Sequence, residues 1–277
     1  MDRELNEKEL TVMAVHAHPD DEVMGTGGML ARYADEGIRT VLVTCTNGEQ
    51  GDGPGGVKPG EPGHDDDAVA KVRLGELRES AAHLGIRHVE PLGFRDSGMD
   101  GWDGNGHTDA FANIPVEVAA EKLSDLIRRY RPQVVVAYNE KGGYGHPDHI
   151  QAHRIAVAAV EATGIPDKFY YTATPRSWMA DMVAYMTESG MDTEGWDLEE
   201  FTDPDDQITS VLDVSDYFER KIKAMAAHAS QGDSEFMLNI PDEIQRRMFA
   251  GEAYIRRWSK VTAPDHEDDL FAGLRGS

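Results

Sequence analysis

Residues 11–22 read TVMAVHAHPDDE, and this stretch decides the fold. Its first seven residues are mostly apolar and β-branched, which is typical of a buried strand in a parallel sheet. The strand runs directly into a dense group of histidine and carboxylate side chains, and helical periodicity follows over residues 21–36. The stretch therefore predicts a strand, a turn rich in metal-capable side chains, and a helix.

The same alternation of apolar runs and helical periodicity continues through the first two-thirds of the chain. It is the signature of an α/β fold, here a Rossmann-like, mainly parallel sheet with helices on both faces. The predicted strands are residues 11–17, 39–45, 88–92 and 133–138, and the predicted helices are residues 21–36, 68–84, 116–130 and 147–162. We expect a single domain over residues 1–277, with a C-terminal excursion from about residue 171.

The charge balance narrows the range of partners. The chain has 27 basic and 51 acidic residues, a formal net charge of −24, which would repel nucleic acids and anionic membranes. Its single cysteine, Cys45, leaves no intramolecular disulfide. The first ten residues are acidic, and no apolar span approaches the roughly 18 residues of a membrane helix. We expect a cytoplasmic protein with a small-molecule partner, and a homo-oligomer stays open.

Several segments have a structural interpretation. Residues 47–67 and 96–113 are rich in glycine and acidic residues and are predicted to be long loops, which are usually functional or mobile. His64 is interpreted as part of a solvated helix start, and the tail after Ala263 as a solvated terminus. Core packing best explains a stripe of large residues at helical spacing, namely Trp178, Met179, Met182, Tyr185 and Met186.

The first group of metal-capable side chains, residues 16–22, directly follows the first predicted strand. A lone carboxylate here would be interpreted as a helix cap or a partner of the helix dipole. Two adjacent carboxylates, Asp20 and Asp21, are costly to desolvate together unless a cation compensates. Because neighbours in a turn can point to different sides, one of them can bind a metal while the other faces solvent.

The second group, residues 144–149, reads YGHPDH and follows another predicted strand and a glycine-rich turn. The carboxyl ends of parallel strands in an open sheet border one crevice, so both groups are expected there. Together they can supply two histidines and one carboxylate, a set that holds catalytic zinc and lowers the pKa of bound water to about 7. Such a site also accepts Fe(II), Co(II) or Ni(II).

The pairing of these two motifs resembles the LmbE-like, or PIG-L type, zinc de-N-acetylases. The resemblance covers most of the chain, and within the family it is nearest to two mycothiol-pathway enzymes, an N-acetylglucosaminyl-inositol deacetylase and an amidase of mycothiol conjugates. The matching segments are HPDDE at 18–22, TCTNGE at 44–49, RLGEL at 73–77, RDSGM at 95–99, residues 139–149, KAMAAH at 223–228 and SQ at 230–231.

The resemblance implies a metal centre and a base. His18, Asp21 and His149 would be the ligands of a zinc ion, and three protein ligands leave a position for water. Asp20 would be the general base that takes a proton from this water. The activity implied is that of a metal-dependent amidohydrolase that removes an acetyl group from the nitrogen of an amino sugar.

Three further residues would assist the chemistry. The resemblance implies that His146, in its protonated form, stabilises the tetrahedral oxyanion and that Asp148 orients His146. Tyr144 matches a family tyrosine that reaches the substrate carbonyl from a mobile loop, and the glycines around it provide backbone freedom for such motion. The alternative for Tyr144 is an aromatic lid used for packing.

The assignments around the substrate are less specific. Arg73 and Asp96 match residues that hold hydroxyl groups of the sugar or inositol, although both could equally be surface groups. His228 matches a histidine near the active-site entrance and is assigned to substrate binding, and the alternative is a helix-surface or core residue. His16 and His153 lie near the implied ligands in sequence, but neither is predicted to bind the metal.

The leading function is metal-dependent hydrolysis of an N-acetyl amide on an amino sugar, with a substrate like N-acetylglucosaminyl-inositol. Residues 23–26 read VMGT, where the mycothiol enzymes tend to carry serine and the amidase a nearby lysine, which argues against the S-conjugate amidase. Deacylation of an antibiotic-like glycoside stays an alternative because the loop at residues 51–67 matches no family segment.

Two alternatives come from other classes of protein. A metal-dependent phosphoesterase usually needs more carboxylates for two metals and basic groups for the phosphate, and the sequence near the motifs lacks them. A non-catalytic sugar-binding module would have no need of Asp20.

Overall fold

The computed structural model describes residues 9–190 and 198–275, which build one seven-stranded sheet. The strands are β1 (Thr11–His16), β2 (Arg39–Thr46), β3 (His88–Phe94), β4 (Val134–Ala137), β5 (Lys168–Ala173), β6 (Ser210–Asp213) and β7 (Gly251–Ser259). Their order across the sheet is β3-β2-β1-β4-β5-β7-β6. The first five are parallel, whereas β7 is antiparallel to both β5 and β6. The predicted Rossmann-like, mainly parallel sheet is confirmed.

Helices cover both faces of the sheet, with α3 and α5 on one side and α1 on the other. Of the helices that the structure describes, none combines the length and the apolar character needed to cross a membrane. In chain order the helices are α1 (Asp21–Asp35), α2 (Asp66–Leu84), α3 (Val116–Tyr130), α4 (Gly142–Gly145), α5 (Pro147–Thr163), α6 (Arg176–Glu188), α7 (Leu198–Phe201), α8 (Phe218–Ala227), α9 (Gly232–Leu238) and α10 (Asp242–Met248).

The apolar run of β1 is continuous because both of its faces are buried. Met13 and Val15 belong to the core cluster under α3 and α5, whereas Val12 and Ala14 pack with Leu30 of α1 on the opposite face. Successive side chains of a strand point to opposite faces, so a central parallel strand must be apolar at every position. This burial holds the residues that directly follow β1 at the edge of the sheet.

The C-terminal third of the chain completes the sheet, which the sequence pattern does not predict. β5 and β7 pair over six residues, and β6 pairs with the other edge of β7. The interpretation of the tail after Ala263 as a solvated terminus is wrong. Glu267 in this tail is buried beside Lys168, and Leu270 and Phe271 belong to the core cluster on the α1 face.

Two other sequence interpretations need correction. In α6 core packing holds for Met186, which is buried, and for Met182 and Tyr185, which pack against its cluster, but not for Trp178, which is 38% exposed. The ring of His64 is not solvated, since its nitrogens contact the carbonyl of Gly51 and the carboxylate of Asp66.

The long loops are confirmed. Residues 47–65 contain no helix or strand, and residues 96–113 contain only two short 3₁₀ helices. Both loops lie at the carboxyl edge of the parallel strands, where they can form walls of a site.

Candidate active site

The two sequence motifs meet at the centre of the sheet. β1 and β4 are neighbouring parallel strands, and the chain order reverses between them, so a crevice opens beyond their carboxyl ends. This crevice is a cavity of about 850 Å³, lined by residues of both motifs and of both long loops. His18 and His149 are 131 residues apart in the chain and come into contact at its floor.

Three side chains converge on one point. His18 Nδ1 lies 3.3 Å from His149 Nε2 and 3.3 Å from an oxygen of Asp21. His149 Nε2 lies 3.4 Å from the other Asp21 oxygen. Tetrahedral ligands at ~2.0–2.2 Å from a zinc ion are about 3.3–3.6 Å from one another, so these atoms have the spacing of a metal site. The residues therefore fit the divalent metal that the sequence predicts.

The ring nitrogens of His149 and His18 that face away from the cluster make contacts that also fit a metal site. His149 Nδ1 lies 3.1 Å from the carbonyl of Gly142, and His18 Nε2 lies 3.2 Å from the Asp148 carboxylate. Each ring can donate its outer N–H and present its other nitrogen to the cluster, as metal-ligating histidines usually do. The Asp148 carboxylate therefore holds His18, and not His146 as expected, because it points toward the loop of Ser97.

The electrostatics of the cluster favour a bound cation. Burial would lower the pKa of His18, but the carboxylates of Asp96, Asp148 and Asp21 raise it. Burial would raise the pKa of Asp21, but His149 and His18 hold it well below its usual range. Buried carboxylates at this density need a positive charge beside them, from a protonated histidine or from a metal ion.

His146 is the nearest further donor. Ligand atoms of His18, His146 and His149 lie within 4.8 Å of one another, so His146 could also contact a metal. Its Nδ1 accepts the backbone N–H of Asp148 at 3.1 Å, which leaves Nε2–H as a donor. Burial, together with the positive charges of His18 and His149, lowers the pKa of His146 to about 3. This lowered pKa opposes the protonated form that the resemblance implies, and the role of His146 stays a prediction.

Asp20 differs from its neighbour Asp21 in backbone conformation, in its side-chain partner and in the direction of its pKa shift. Its φ of 113° and ψ of −30° lie in the left-handed region, which residues other than glycine rarely adopt. Its carboxylate lines the cavity and accepts a hydrogen bond from Arg73 Nη2 at 2.8 Å. Burial raises the pKa of Asp20 to about 6, although Arg73 opposes the rise. A carboxyl group with this pKa suits a general base near neutral pH.

Arg73 and Asp96 are buried and line the cavity, so neither is a surface group. Arg73 donates to the carbonyls of Gly48 and Pro19, at 2.8 and 2.7 Å, as well as to Asp20. An Asp96 oxygen lies 3.9 Å from Arg73 Nη1. Since protein groups occupy much of the Arg73 guanidinium, a contact of Arg73 with substrate stays a prediction, as does that of Asp96.

His228 lies in the core and not at the entrance. Its ring is buried, and Nε2 lies 2.7 Å from Glu22 Oε1, which also accepts a hydrogen bond from Ser80. The expected position near the entrance is wrong, and the alternative of a core residue is confirmed. Sequence reasoning missed the pair because the two residues are 206 positions apart in the chain.

Tyr144 lies at the cavity wall beside His149. Its ring meets that of His149 edge-on, with 4.9 Å between the centroids, and the residue is 42% exposed. The turn around it is built from glycines, with φ of 73° at Gly143 and 90° at Gly145, and Asn139 Oδ1 accepts the Gly143 N–H at 3.1 Å. The expected role of Tyr144 at the substrate carbonyl stays a prediction.

Tyr138 is a site residue that sequence reasoning missed. Its ring stacks on His149 at 4.3 Å, and its hydroxyl accepts the N–H of Ala17 at 3.1 Å. Its position directly after β4 was the available signal. His16 and His153 contact the hydroxyl and the backbone carbonyl of Tyr138, so their interpretation as residues outside the metal cluster agrees with their contacts.

Comparison with known proteins places this geometry in context. A family model described as PIG-L: GlcNAc-PI de-N-acetylase matches residues 13–160, which include both motifs. The 1D-myo-inositol 2-acetamido-2-deoxy-alpha-D-glucopyranoside deacetylase of Acidothermus cellulolyticus is 41% identical over 278 residues, covering 95% of each chain. The protein of the same name from Thermobifida fusca is 40% identical over 294 residues, covering 97% of this chain and 100% of its own.

Solved structures share the fold at lower identity. The N,N'-diacetylchitobiose deacetylase from Pyrococcus horikoshii superposes with a TM-score of 0.56 at 21% identity, covering 89% of this chain and 83% of its own. The zinc-inhibited form of a teicoplanin deacetylase superposes with a TM-score of 0.57 at 17% identity, covering 89% and 97%. At these identities the likeness concerns the fold alone.

Proposed function

Because the chain belongs to the PIG-L family of GlcNAc-PI de-N-acetylases, we propose that it hydrolyses the acetamide of 1D-myo-inositol 2-acetamido-2-deoxy-alpha-D-glucopyranoside to acetate and the free amine. Relatives of that name align with 95% or more of the chain. A cavity of about 850 Å³ is within the usual range of small-molecule sites and has room for a two-ring substrate.

One observation carries the proposal: His18, Asp21 and His149 meet at ligand spacing with Asp20 beside them in the same cavity. We propose that these three residues hold a zinc ion. When bound, the metal would polarise the amide carbonyl and acidify a water molecule. The same donor set also accepts Fe(II), Co(II) or Ni(II).

In this proposal Asp20 moves the proton. It accepts a proton from water as the water oxygen bonds to the acetyl carbon, and it passes that proton to the sugar nitrogen as the carbon–nitrogen bond breaks. Water thus supplies the hydroxyl of the acid and the new hydrogen of the amine. The left-handed turn at Asp20 presents its carboxylate to the cavity independently of the Asp21 carboxylate, which contacts the histidines.

His146 and Tyr144 are the proposed donors to the oxyanion that forms on the acetyl carbonyl. A neutral His146 donates from Nε2 because its Nδ1 is occupied by the Asp148 N–H. Burial raises the pKa of Tyr144, so its hydroxyl keeps a hydrogen to donate. Donors that are in place before reaction stabilise developing charge strongly. Arg73 and Asp96 would contact sugar or inositol hydroxyl groups at the cavity wall.

The charges at the cavity wall favour a neutral substrate over a phosphoester. Its basic side chains are Lys58, Arg73 and Lys141, and Arg73 is already bonded to Asp20. The acidic side chains on the wall are Asp20, Asp21, Asp52, Asp96, Asp203 and Asp233. Because an excess of carboxylates repels an anion, the phosphoesterase alternative has little support.

The test is acetate release from a panel of substrates: the N-acetylglucosaminyl-inositol, simple N-acetylglucosaminides, acylated glycosides and mycothiol S-conjugates. We expect the first to have the highest kcat/KM and the conjugates the lowest, because residues 23–26 carry no lysine to anchor them. If the conjugates had a kcat/KM ten times that of the other substrates, about 1.4 kcal/mol of transition-state preference, the amidase function would replace the proposal. Binding without acetate release would indicate a sugar-binding module.

A further inference from the structure

Glu22 carries a carboxylate in the protein interior, and the mechanism above gives it no role. The side chains of Glu22, Ser80 and His228 are all fully buried. Oε1 of Glu22 accepts hydrogen bonds from His228 Nε2, at 2.7 Å, and from the Ser80 hydroxyl. Oε2 accepts the backbone N–H of Asp20 at 3.0 Å. One carboxylate thus connects two distant segments to the backbone of the proposed base.

The backbone of Asp20 needs such a contact because its φ of 113° is unfavourable for any residue with a side chain. Arg73 holds the same turn from another direction. Its Nη2 donates to the carbonyl of Pro19 at 2.7 Å and to the carboxylate of Asp20 at 2.8 Å. Hydrogen bonds to the carbonyl before Asp20, to its N–H and to its side chain together fix where the carboxylate points.

The partners of Glu22 come from helices that pack behind this turn. Arg73 and Ser80 are seven residues apart on α2, which places them on one face of that helix. His228 directly follows α8, and α8 packs against the end of α2. Nδ1 of His228 is buried and has no hydrogen-bond partner in the part of the chain that the structure describes. The ring of His228 is therefore anchored through Glu22.

We propose that Glu22, supported by Ser80 and His228, is a positioning residue that aims the Asp20 carboxylate at the metal site. The inference rests on the proposed function, since it requires Asp20 to be the base. It gives His228 an indirect role through Glu22, in place of the substrate contact that the family resemblance implies.

Glu252 offers a matched control. It is also a buried acid that bonds the backbone of α1, accepting the N–H groups of Gly28 and Met29 at 2.8 Å each. A basic side chain of α8, Lys221, lies 2.7 Å from it. Its contacts fall about two helical turns beyond Asp20. If the buried acids that contact α1 were needed only for folding, variants of Glu22 and Glu252 would behave alike.

The experiment compares kcat, KM, bound metal and Tm among four variants, with acetate release as the assay. Glu22→Met removes both oxygens at similar length, and we expect kcat to fall roughly 30- to 100-fold, the scale of a misplaced catalytic group, with KM and metal content unchanged. Glu22→Gln can keep a carbonyl oxygen on the Asp20 N–H and should stay within about fivefold of wild type. Glu252→Gln should lower Tm and leave kcat within about twofold.

Each variant is also made in an Asp20→Ala background. There Glu22→Met should lower the residual rate by less than about twofold, because the group that Glu22 aims is gone. Ser80→Ala, the fourth variant, removes one hydrogen-bond donor to Glu22. If Glu22→Met does not fold, Ser80→Ala tests the proposal in its place. It should lower kcat about 3- to 10-fold in the wild-type background and have almost no effect in the Asp20→Ala background.

Two results would overturn the positioning role. One is an equal loss of kcat with and without Asp20, and the other is a kcat loss from Glu22→Met or Ser80→Ala no greater than that from Glu252→Gln. Failure of the proposed function would look different. Wild-type protein that released no acetate from any substrate of the panel would refute that function, and this inference with it, before any variant is compared.

Discussion

Asp20 and Asp21 are neighbours in the chain, but their surroundings push their pKa values in opposite directions. Burial raises the pKa of Asp20 to about 6, and Arg73 only partly offsets this rise. Burial acts in the same direction on Asp21, but His149 and His18 hold its pKa well below the usual range. Two carboxyl groups separated in this way can divide the roles of base and metal ligand between them.

Alanine variants of Asp20 and His149 should separate these roles. We expect Asp20→Ala to keep about one metal per chain and to lose roughly 10²–10⁴ in kcat, the usual contribution of a general base. His149→Ala should lose the metal itself, since it removes one of the three proposed ligands. Metal analysis alongside acetate release checks both, and chelation should abolish wild-type activity until zinc is restored. Equal metal loss in the two variants would make Asp20 a ligand.

The acid limb of the pH profile should report the ionisation of Asp20. Only the ionised carboxylate accepts a proton, so kcat/KM should fall as the pH drops through a pKa of about 6. A bound metal cation favours the ionised form and sets this limb at or below that value.

Arg73 should influence the position of this limb. Because its positive charge lowers the pKa of Asp20, Arg73→Met should move the acid limb of kcat/KM to higher pH. The measurement is a pH profile of both proteins at matched metal content. A raised KM with an unmoved limb would instead support the predicted contact of Arg73 with substrate hydroxyls.

Among the secondary-structure elements, the first four strands could be predicted and the last three could not. β1, β2 and β4 are buried on both faces and therefore give continuous apolar runs. β6 has only four residues, alternately buried and exposed, and β7 carries two arginines. β5 begins with the buried Lys168, whose partner Glu267 lies 99 residues further along the chain. Neither local pattern nor composition reveals such strands.

The same limit applies to the site. The meeting of the two motifs could be predicted because both directly follow parallel strands whose carboxyl ends share an edge. The contacts of Ser97 with Asp148 and of His228 with Glu22 depend on how distant segments pack, across 51 and 206 residues. A motif match alone therefore put His228 at the entrance, whereas the packing of α2 and α8 puts it behind Asp20, the proposed base.

The packing of α1 against the segment after β6 should make Gly28 intolerant of any side chain. A Cβ at Gly28 would lie 2.5 Å from the Cβ of Val214, so Gly28→Ala should lower the free energy of unfolding by about 1–3 kcal/mol. Gly75, exposed in α2 with open space around it, is the control. There alanine should stabilise by about 0.5–1 kcal/mol, because glycine is entropically unfavourable within a helix. Urea denaturation that gave the two variants the same sign would contradict this packing.

At the scale of the whole molecule, one buried carboxylate ties the C-terminal segment to the sheet. Glu267 lies beside Lys168 and accepts hydrogen bonds from the hydroxyls of Tyr170 and Ser210, at 2.7 and 3.0 Å, while Arg256 lies 3.0 Å away. These partners belong to β5, β6 and β7, the three strands that complete the sheet beyond β4. Since both Lys168 and Glu267 are inaccessible to water, each needs the other to offset its desolvation.

Removing Glu267 should therefore destabilise the whole fold and not only the tail. Glu267→Ala leaves Lys168 buried without its counter-charge, and breaking a buried pair from one side costs about 3–5 kcal/mol of unfolding free energy.

Glu121→Ala is the control, because Glu121 pairs with Arg128 at the surface, where such a pair contributes at most about 1 kcal/mol. Adding Lys168→Met to Glu267→Ala should recover part of the loss by removing the uncompensated charge. Urea denaturation gives the free energy of unfolding of all three variants. A Glu267→Ala protein as stable as the control would mean that this carboxylate does not secure the three strands beyond β4.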